Sequence, residues 1–307
     1  MKAGIVGAGA LGLLFAHSFH EHISHEHISD FVIYEVNKDI VDDIKKHGIN
    51  LLTDGISKRI SPMIDSSPEI LCDSDIIFLF VKSYSTLDAI TDIKNHINPN
   101  SIIVSLQNGL GNVEEIKKFI DTDKIVYGST TIGAAKSSLS TVIAGGSGII
   151  NIGGADKENI AKVNSLLRDS GFDSYIIDNP DSAIWNKAII NAGINPIAAI
   201  LKIPNGKILS NQYALTLQEN IIKEAVDAAM ANNININFDE ILQTTRDVCR
   251  KTSENKCSMF QDIHNTRKTE IESITGKIIE YGEKKGLNMA FNKSLYLLIK
   301  AMESAKP

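Results

Sequence analysis

No stretch of this chain reaches the roughly 18 consecutive apolar residues that a membrane-crossing helix needs, so no transmembrane segment is expected. Cysteine is scarce: Cys72, Cys249 and Cys257 are odd in number and show no C-x-x-C spacing. That pattern gives neither a disulfide framework nor a zinc knuckle, and free thiols in a reducing cytoplasm are the plain expectation. A basic surplus is also missing, with 31 Lys and Arg against 37 Asp and Glu and a formal net charge of -6. A general binder of nucleic acid or anionic membrane would need a basic face, so neither partner is expected. Met1-Lys2 runs straight into an apolar strand and a glycine turn with no cleavage-type segment, which again suggests the cytoplasm. At 43% hydrophobic and 22% charged, the 307 residues have the composition of a globular chain of about two domains.

In the first half, short apolar runs alternate with helical patterns. Ala3–Val6, Phe31–Glu35, Asp75–Val81 and Ile102–Leu106 read as strands, with helices from about Ala10, from Val36 to His47 and from Tyr84. This is the signature of βαβ units, and the unbroken apolar runs at 76–81 and 101–105 suit parallel strands covered on both faces. From Ser137 to Gly154 the chain becomes glycine-rich and β-branched, as expected of further strands completing the first domain. After Asn179-Pro180 the pattern is helical, with segments at Trp185–Leu201, Ala214–Asn232, Phe238–Thr252 and Thr266–Lys285. The expected fold is therefore α/β: a doubly wound parallel sheet of the Rossmann type over residues 1–178, followed by an all-helical second domain over 179–307. The one internal repeat, His20-Glu-His-Ile-Ser followed by His25-Glu-His-Ile-Ser, is too short for a solenoid. Five of eight histidines lie between His17 and His27, four of them in this repeat; adventitious metal binding is the plainer reading there and no functional metal site is expected.

Gly7-Ala8-Gly9-Ala10-Leu11-Gly12 matches G-x-G-x-x-G between an expected strand and an expected helix. In that setting Gly7 permits the tight turn, Gly9 lets the backbone approach a pyrophosphate, and Gly12 allows close helix–strand packing. Glu35 ends the second strand, 23 residues after Gly12, where an acidic residue accepts the ribose hydroxyls of NAD. A carboxylate there repels the 2'-phosphate of NADP, so the cofactor is NAD(P)H with NADH favoured. The alternative is a solvated strand-end charge, with Lys38 nearby still able to serve a phosphate.

Val81-Lys82-Ser83-Tyr84 and Gln107-Asn108-Gly109-Leu110-Gly111-Asn112 follow two strands at their carboxyl ends, the edge where open α/β sheets bind ligands. Lys82 and Asn108 would therefore face the nicotinamide end of the cofactor. In Trp185-Asn-Lys-Ala-Ile-Ile-Asn-Ala-Gly-Ile-Asn-Pro196, Lys187, Asn191 and Asn195 fall at i, i+4 and i+8 on one helical stripe. Polar groups in an apolar helix need partners, and a carboxylate with a ketone would supply them. Lysine is otherwise mostly a surface residue, and the asparagines could bond helix backbone or mark a kink at Pro196.

Together with Pro204-Asn205-Gly206, Cys257-Ser258-Met259-Phe260-Gln261-Asp262 and Arg267-Lys268-Thr269-Glu270-Ile271, these segments resemble the ketopantoate reductases, or 2-dehydropantoate 2-reductases, over nearly the whole chain. The resemblance implies reduction of 2-dehydropantoate to (R)-pantoate for pantothenate and coenzyme A synthesis. It implies Lys187 as proton donor, with Asn191, Asn195, Asn205 and Ser258 on the keto acid. It places Lys82 and Asn108 at the cofactor–substrate junction, Ala134 on the cofactor and Glu270 on cofactor or substrate hydroxyls. One departure from that pattern is Glu35-Val36-Asn37, standing where many members carry an arginine for the 2'-phosphate. Ser258 could instead cap a helix, and Glu270 and Asp262 could be solvated charges. Alternatives are a paralogous reductase of another small 2-keto acid on the same scaffold and a dinucleotide sensor without turnover, which would need no proton donor. No residue run identifies a homomeric interface, and a homodimer is left open.

Overall fold

The computed structural model describes residues 1–22, 30–53 and 55–305. The second half of the histidine-rich repeat, including His25 and His27, lies outside the described residues. The chain divides into two compact units, one of residues 1–107 and 112–180, the other of residues 108–111 and 181–307.

The first unit runs β1 (Lys2–Val6), α1 (Ala10–Glu21), β2 (Asp30–Tyr34), α2 (Lys38–His47), β3 (Ile49–Thr53), β4 (Ile56–Ile60), β5 (Met63–Asp65), β6 (Ile76–Leu79), α3 (Thr86–Ile93), β7 (Ile102–Ser105) and α4 (Asn112–Ile116). It continues with β8 (Ile125–Thr130), β9 (Ala134–Lys136), β10 (Thr141–Ala144), β11 (Ile149–Gly154), α5 (Lys157–Asp169) and β12 (Asp173–Ile176). Eight strands form the main sheet in the order β12-β11-β8-β7-β6-β1-β2-β5, parallel from β8 to β5 and antiparallel at β8–β11. Strands β1, β6 and β7 are almost wholly buried, which is why their sequences are apolar without alternation. Helix α1 is fastened to the unit by an aromatic cluster in which Phe15 lies 4.2 Å from Phe172 and 4.5 Å from Phe80 between ring centroids. Truncating such a ring costs about 3–5 kcal/mol, so the position of α1 is strongly specified.

A second sheet, ordered β4-β3-β10-β9, departs from the sequence expectation. Strands β9 and β10 do not extend the main sheet; they join the β3–β4 hairpin, and of the 137–154 stretch only β11 completes the main one. The hairpin escapes a pattern search because four of the five residues of β4 are exposed, which removes the apolar face. Helix α5 and strand β12, both absent from the sequence reading, close the first unit.

The second unit is helical: α6 (Pro180–Leu201), α7 (Gln212–Ala231), α8 (Phe238–Lys251), α9 (Ser258–His264), α10 (Lys277–Glu283) and α11 (Ala290–Ser304). Its core gathers Trp185, Ile189, Ile221, Ile222, Ile278 and Ile299. Helix α6 passes through Pro196 without ending, so the expected kink signal does not break it. The helix expected from Thr266 is corrected: Thr266 has φ of +52°, and helical structure resumes only with a π-helical turn at Glu272–Gly276 ahead of α10. A positive φ at a β-branched residue is costly and stops a helix there.

Candidate active site

The glycine turn joins β1 to α1. Gly7 has φ of +99°, a conformation open to glycine, and its N–H donates to the Tyr34 carbonyl at 2.9 Å. A Cβ on Gly12 would stand 2.1 Å from the Gly7 carbonyl oxygen, so the protein itself requires glycine there. Gly9 differs. A Cβ on it would meet only the Phe80 carbonyl, at an ordinary 3.5 Å, so the space above Gly9 is free of protein and suits a ligand. As N-cap of α1, Gly9 offers no side-chain bond to the helix, and the first turn carries no acidic residue. Unsatisfied N–H groups and the positive end of the helix dipole are therefore presented at this point, which fits a dinucleotide's pyrophosphate.

Both carboxylate oxygens of Glu35 accept main-chain hydrogens, Oε2 from the Ala8 N–H at 2.7 Å and Oε1 from the Asn37 N–H at 2.9 Å. A carboxylate has about four acceptor positions, so two remain for a ribose diol. From the other side, Lys136 at the end of β9 donates to the Ala8 carbonyl at 3.0 Å, a contact that no spacing in the sequence announces. Ala134 begins the same strand, half-buried. Lys82 is half-buried where a 3-10 turn, Ser83–Ser85, follows β6. Its loop is fixed by Gln107, whose Nε2 donates to the Val81 carbonyl at 2.9 Å and to Thr86 at 2.8 Å; Thr86 in turn donates to Asn112 at 2.9 Å. Gln107 carries no signal of this role in the sequence, because a buried amide that ties two loops has no signature beyond its place in a motif.

Lys187, Asn191 and Asn195 share one stripe of α6, Asn195 buried and the other two half-buried. Burial lowers the Lys187 ammonium to about 8, and the negative charge of Glu270 opposes that fall. An amine so poised loses its proton readily near neutral pH, unlike a surface lysine. The Asn195 carbonyl accepts from the Cys257 thiol at 3.6 Å, and burial pushes that thiol up to about 11, so Cys257 is a structural group. Cys257 also caps α9 by accepting from the Phe260 N–H, so Ser258, the first residue of α9, is exposed and released from capping.

Asn205 is 6% exposed. Its amide donates to Thr252 at 2.9 Å, while its Oδ1 is buried with no hydrogen-bond partner among the described residues. Such an acceptor is costly unless something outside the protein satisfies it. Glu270 is 8% exposed, not the solvated charge that a charged stretch suggests, and Asp262 is buried too. Glu270 stands just before the π-helical turn, a distortion frequent at functional sites. The neighbouring Thr269 is anchored through its N–H and hydroxyl to Glu303 of α11, both at 2.7 Å. Residues 108–111 pack with this second unit: the Leu110 N–H donates to the Ser273 carbonyl at 2.7 Å, and a Cβ on Gly109 would fall 2.7 Å from that oxygen. Asn108 is thus placed in the same unit as Lys187, Asn191, Asn195, Asn205, Ser258 and Glu270. Among the described residues no group of three or more His, Cys, Asp or Glu is placed to hold a metal, and no helix is long and apolar enough to cross a membrane.

Two family models cover the chain, "Ketopantoate reductase PanE/ApbA" over residues 3–157 and "Ketopantoate reductase PanE/ApbA C terminal" over 179–303. The 2-dehydropantoate 2-reductase of Pyrococcus horikoshii is 34% identical and that of Pyrococcus abyssi 32% identical; each match covers 99% of this chain and 98% of the relative. A ternary structure of D-mandelate dehydrogenase with NADH and anilino(oxo)acetate superposes with a TM-score of 0.92 at 26% identity, covering 99% of each chain. The chain belongs to the ketopantoate reductase family.

Proposed function

We propose that this chain reduces 2-dehydropantoate to (R)-pantoate, a step in pantothenate and coenzyme A synthesis, with a nicotinamide dinucleotide held by the glycine turn. The bound nicotinamide supplies a hydride to the ketone carbon. Lys187 gives its proton to the ketone oxygen, so the C=O π bond is replaced by one C–H and one O–H bond and the carbonyl carbon is reduced. Before transfer the ammonium stabilises the developing alkoxide. Asn191 and Asn195 orient the keto acid along α6, Asn108 and Ser258 complete its contacts, and Glu270 holds Lys187 in its charged form and accepts hydroxyls. Gly7 to Gly12, Lys82 and Ala134 hold the cofactor. The Glu35 carboxylate, fixed on two main-chain N–H groups, favours the ribose diol of NADH over an added phosphate.

The observation that carries this reading is the depressed Lys187 beside buried Glu270, in one unit with an unsatisfied Asn205 Oδ1. An acceptor asks for a donor, and 2-dehydropantoate carries a hydroxyl that would supply one. A second reading, another small 2-keto acid as substrate, is favoured by the likeness to D-mandelate dehydrogenase. Oxidation of NADH and NADPH is to be followed with 2-dehydropantoate, 2-oxopantoate analogues lacking the hydroxyl, and benzoylformate. The proposal expects the highest kcat/KM for 2-dehydropantoate; equal or higher kcat/KM for the analogues that lack the hydroxyl would contradict it. No oxidation with any keto acid would point instead to a dinucleotide sensor.

A further inference from the structure

The Ala8 peptide in the glycine turn is held by charge on both sides. Its N–H donates to Glu35 from β2, and its carbonyl accepts from Lys136 of β9, a strand of the smaller sheet that packs against α1. The lysine is half-buried, so its stem has a defined course over the turn. An ammonium here adds positive charge beside a helix N-terminus that is already positive, uncapped by a side chain and free of acidic residues in its first turn. Like potentials brought together raise the energy of the empty protein and are repaid when an anion arrives. The space above Gly9, which a Cβ could enter at ordinary contact distance, is where that anion has room.

We propose that Lys136 is a phosphate ligand of the dinucleotide, its ammonium held at the glycine turn to neutralise the pyrophosphate that the turn's N–H groups receive. This rests on the reading of the turn as the cofactor site and adds a residue to it. Glu35 and Lys136 then divide the work across one peptide: the acid takes the ribose hydroxyls, and the base takes the phosphates beside them. Lysine suits the task as a point charge on a flexible stem, able to leave a neutral carbonyl for a phosphate oxygen. Because pyrophosphate is common to NADH and NADPH, the residue strengthens both alike and leaves the choice between them to Glu35.

The test is calorimetric titration of the full chain with NADH, NADPH and ADP-ribose, and of adenosine by competition, for wild type, Lys136→Met and Lys136→Arg. Lys136→Met is expected to weaken NADH, NADPH and ADP-ribose by about tenfold each, the scale of one charge-assisted hydrogen bond. It should also flatten the salt dependence of NADH binding, leave adenosine within twofold of wild type, and be restored to within about threefold by arginine. NADH affinity unchanged in Lys136→Met would overturn the proposal, as would a loss confined to NADPH, which would move the lysine to the 2'-phosphate. An equal loss for adenosine would reduce Lys136 to a brace of the turn and overturn it too; this comparison holds even if Lys136→Met loosens the fold. Failure of the wild type to bind NADH, NADPH and ADP-ribose would remove the dinucleotide reading itself, and this inference with it.

Discussion

In the first unit the groups proposed for a ligand are main-chain N–H groups at the start of α1, shaped by Gly7 and Gly12 and left open at Gly9; in the second they are side chains, among them Lys187, Asn205 and Glu270, buried or half-buried on helices and in the bend that precedes the π-helical turn. In the first arrangement the N–H groups themselves cost little when empty, because exposed N–H groups bond to water, and the added cost is confined to the Lys136 ammonium held beside them. The second is expensive, since a lysine whose charge burial disfavours and an acceptor without a donor both raise the energy of the native state. In the proposed reading, the pyrophosphate site is thus opened by missing side chains at the glycine turn, with Glu35 and Lys136 beside it, and the substrate site is built from side chains in a costly electrostatic setting.

The sharpest contrast inside the first unit lies between two glycines. Gly12→Ala places a Cβ 2.1 Å from a main-chain oxygen and is expected to destabilise the unit by about 3 kcal/mol, with a lowered thermal midpoint and loss of NADH binding. Gly9→Ala meets only an ordinary contact, so it should keep the thermal midpoint within a few degrees while weakening NADH. Equal midpoints for both variants would break the distinction between a glycine the fold needs and one the ligand needs.

In the second unit, Asn205→Ala removes the acceptor offered to a substrate hydroxyl. KM for 2-dehydropantoate should rise by about 1–1.5 kcal/mol, roughly tenfold, with NADH affinity unchanged; a KM within twofold of wild type would take Asn205 out of the site. Returning to the first unit, Glu35→Ala should weaken NADH by about 1–2 kcal/mol and narrow the gap between NADH and NADPH. A wild-type kcat/KM for NADPH well above that for NADH would refute this role.

The smallest expected effect concerns stability. Folding lowers Lys187 below its ordinary lysine value, so the folded protein pays to keep it charged below about pH 8, and that cost fades as pH rises past 8. Lys187→Met should therefore raise the thermal midpoint by a few degrees at pH 7 and by less at pH 9.5. A fall at pH 7 would show that the lysine's contacts outweigh its desolvation.

The two units were unequally legible in the sequence. Glycine turns and buried parallel strands leave local signatures, so β1, α1, β2, β6 and β7 stand in the sequence much as they stand in the fold. The β3–β4 hairpin and the pairing of β3 with β10 do not, because an exposed strand such as β4 lacks a buried face and β10, the partner of β3, lies far along the chain. The lysine–asparagine stripe was visible as a spacing, whereas its meaning depended on burial: Glu270 sits in a run of charges that reads as solvated, yet it is buried just ahead of the π-helical turn. Contacts made across sequence distance, Lys136 on Ala8 or Glu303 on Thr269, had no local pattern at all. Swapping packing partners, as residues 108–111 do, is likewise invisible to periodicity.

The proposed mechanism turns on Lys187 as the group that gives its proton to the ketone oxygen. It is tested most directly by the kcat of Lys187→Ala for 2-dehydropantoate beside a fluorescence titration with NADH. The expected kcat is lower by about 10²–10⁴, with NADH affinity kept and, in the wild type, a rate that falls as pH rises above about 8. A variant retaining kcat within about threefold of wild type, a change of less than about 1 kcal/mol in the barrier, would contradict it.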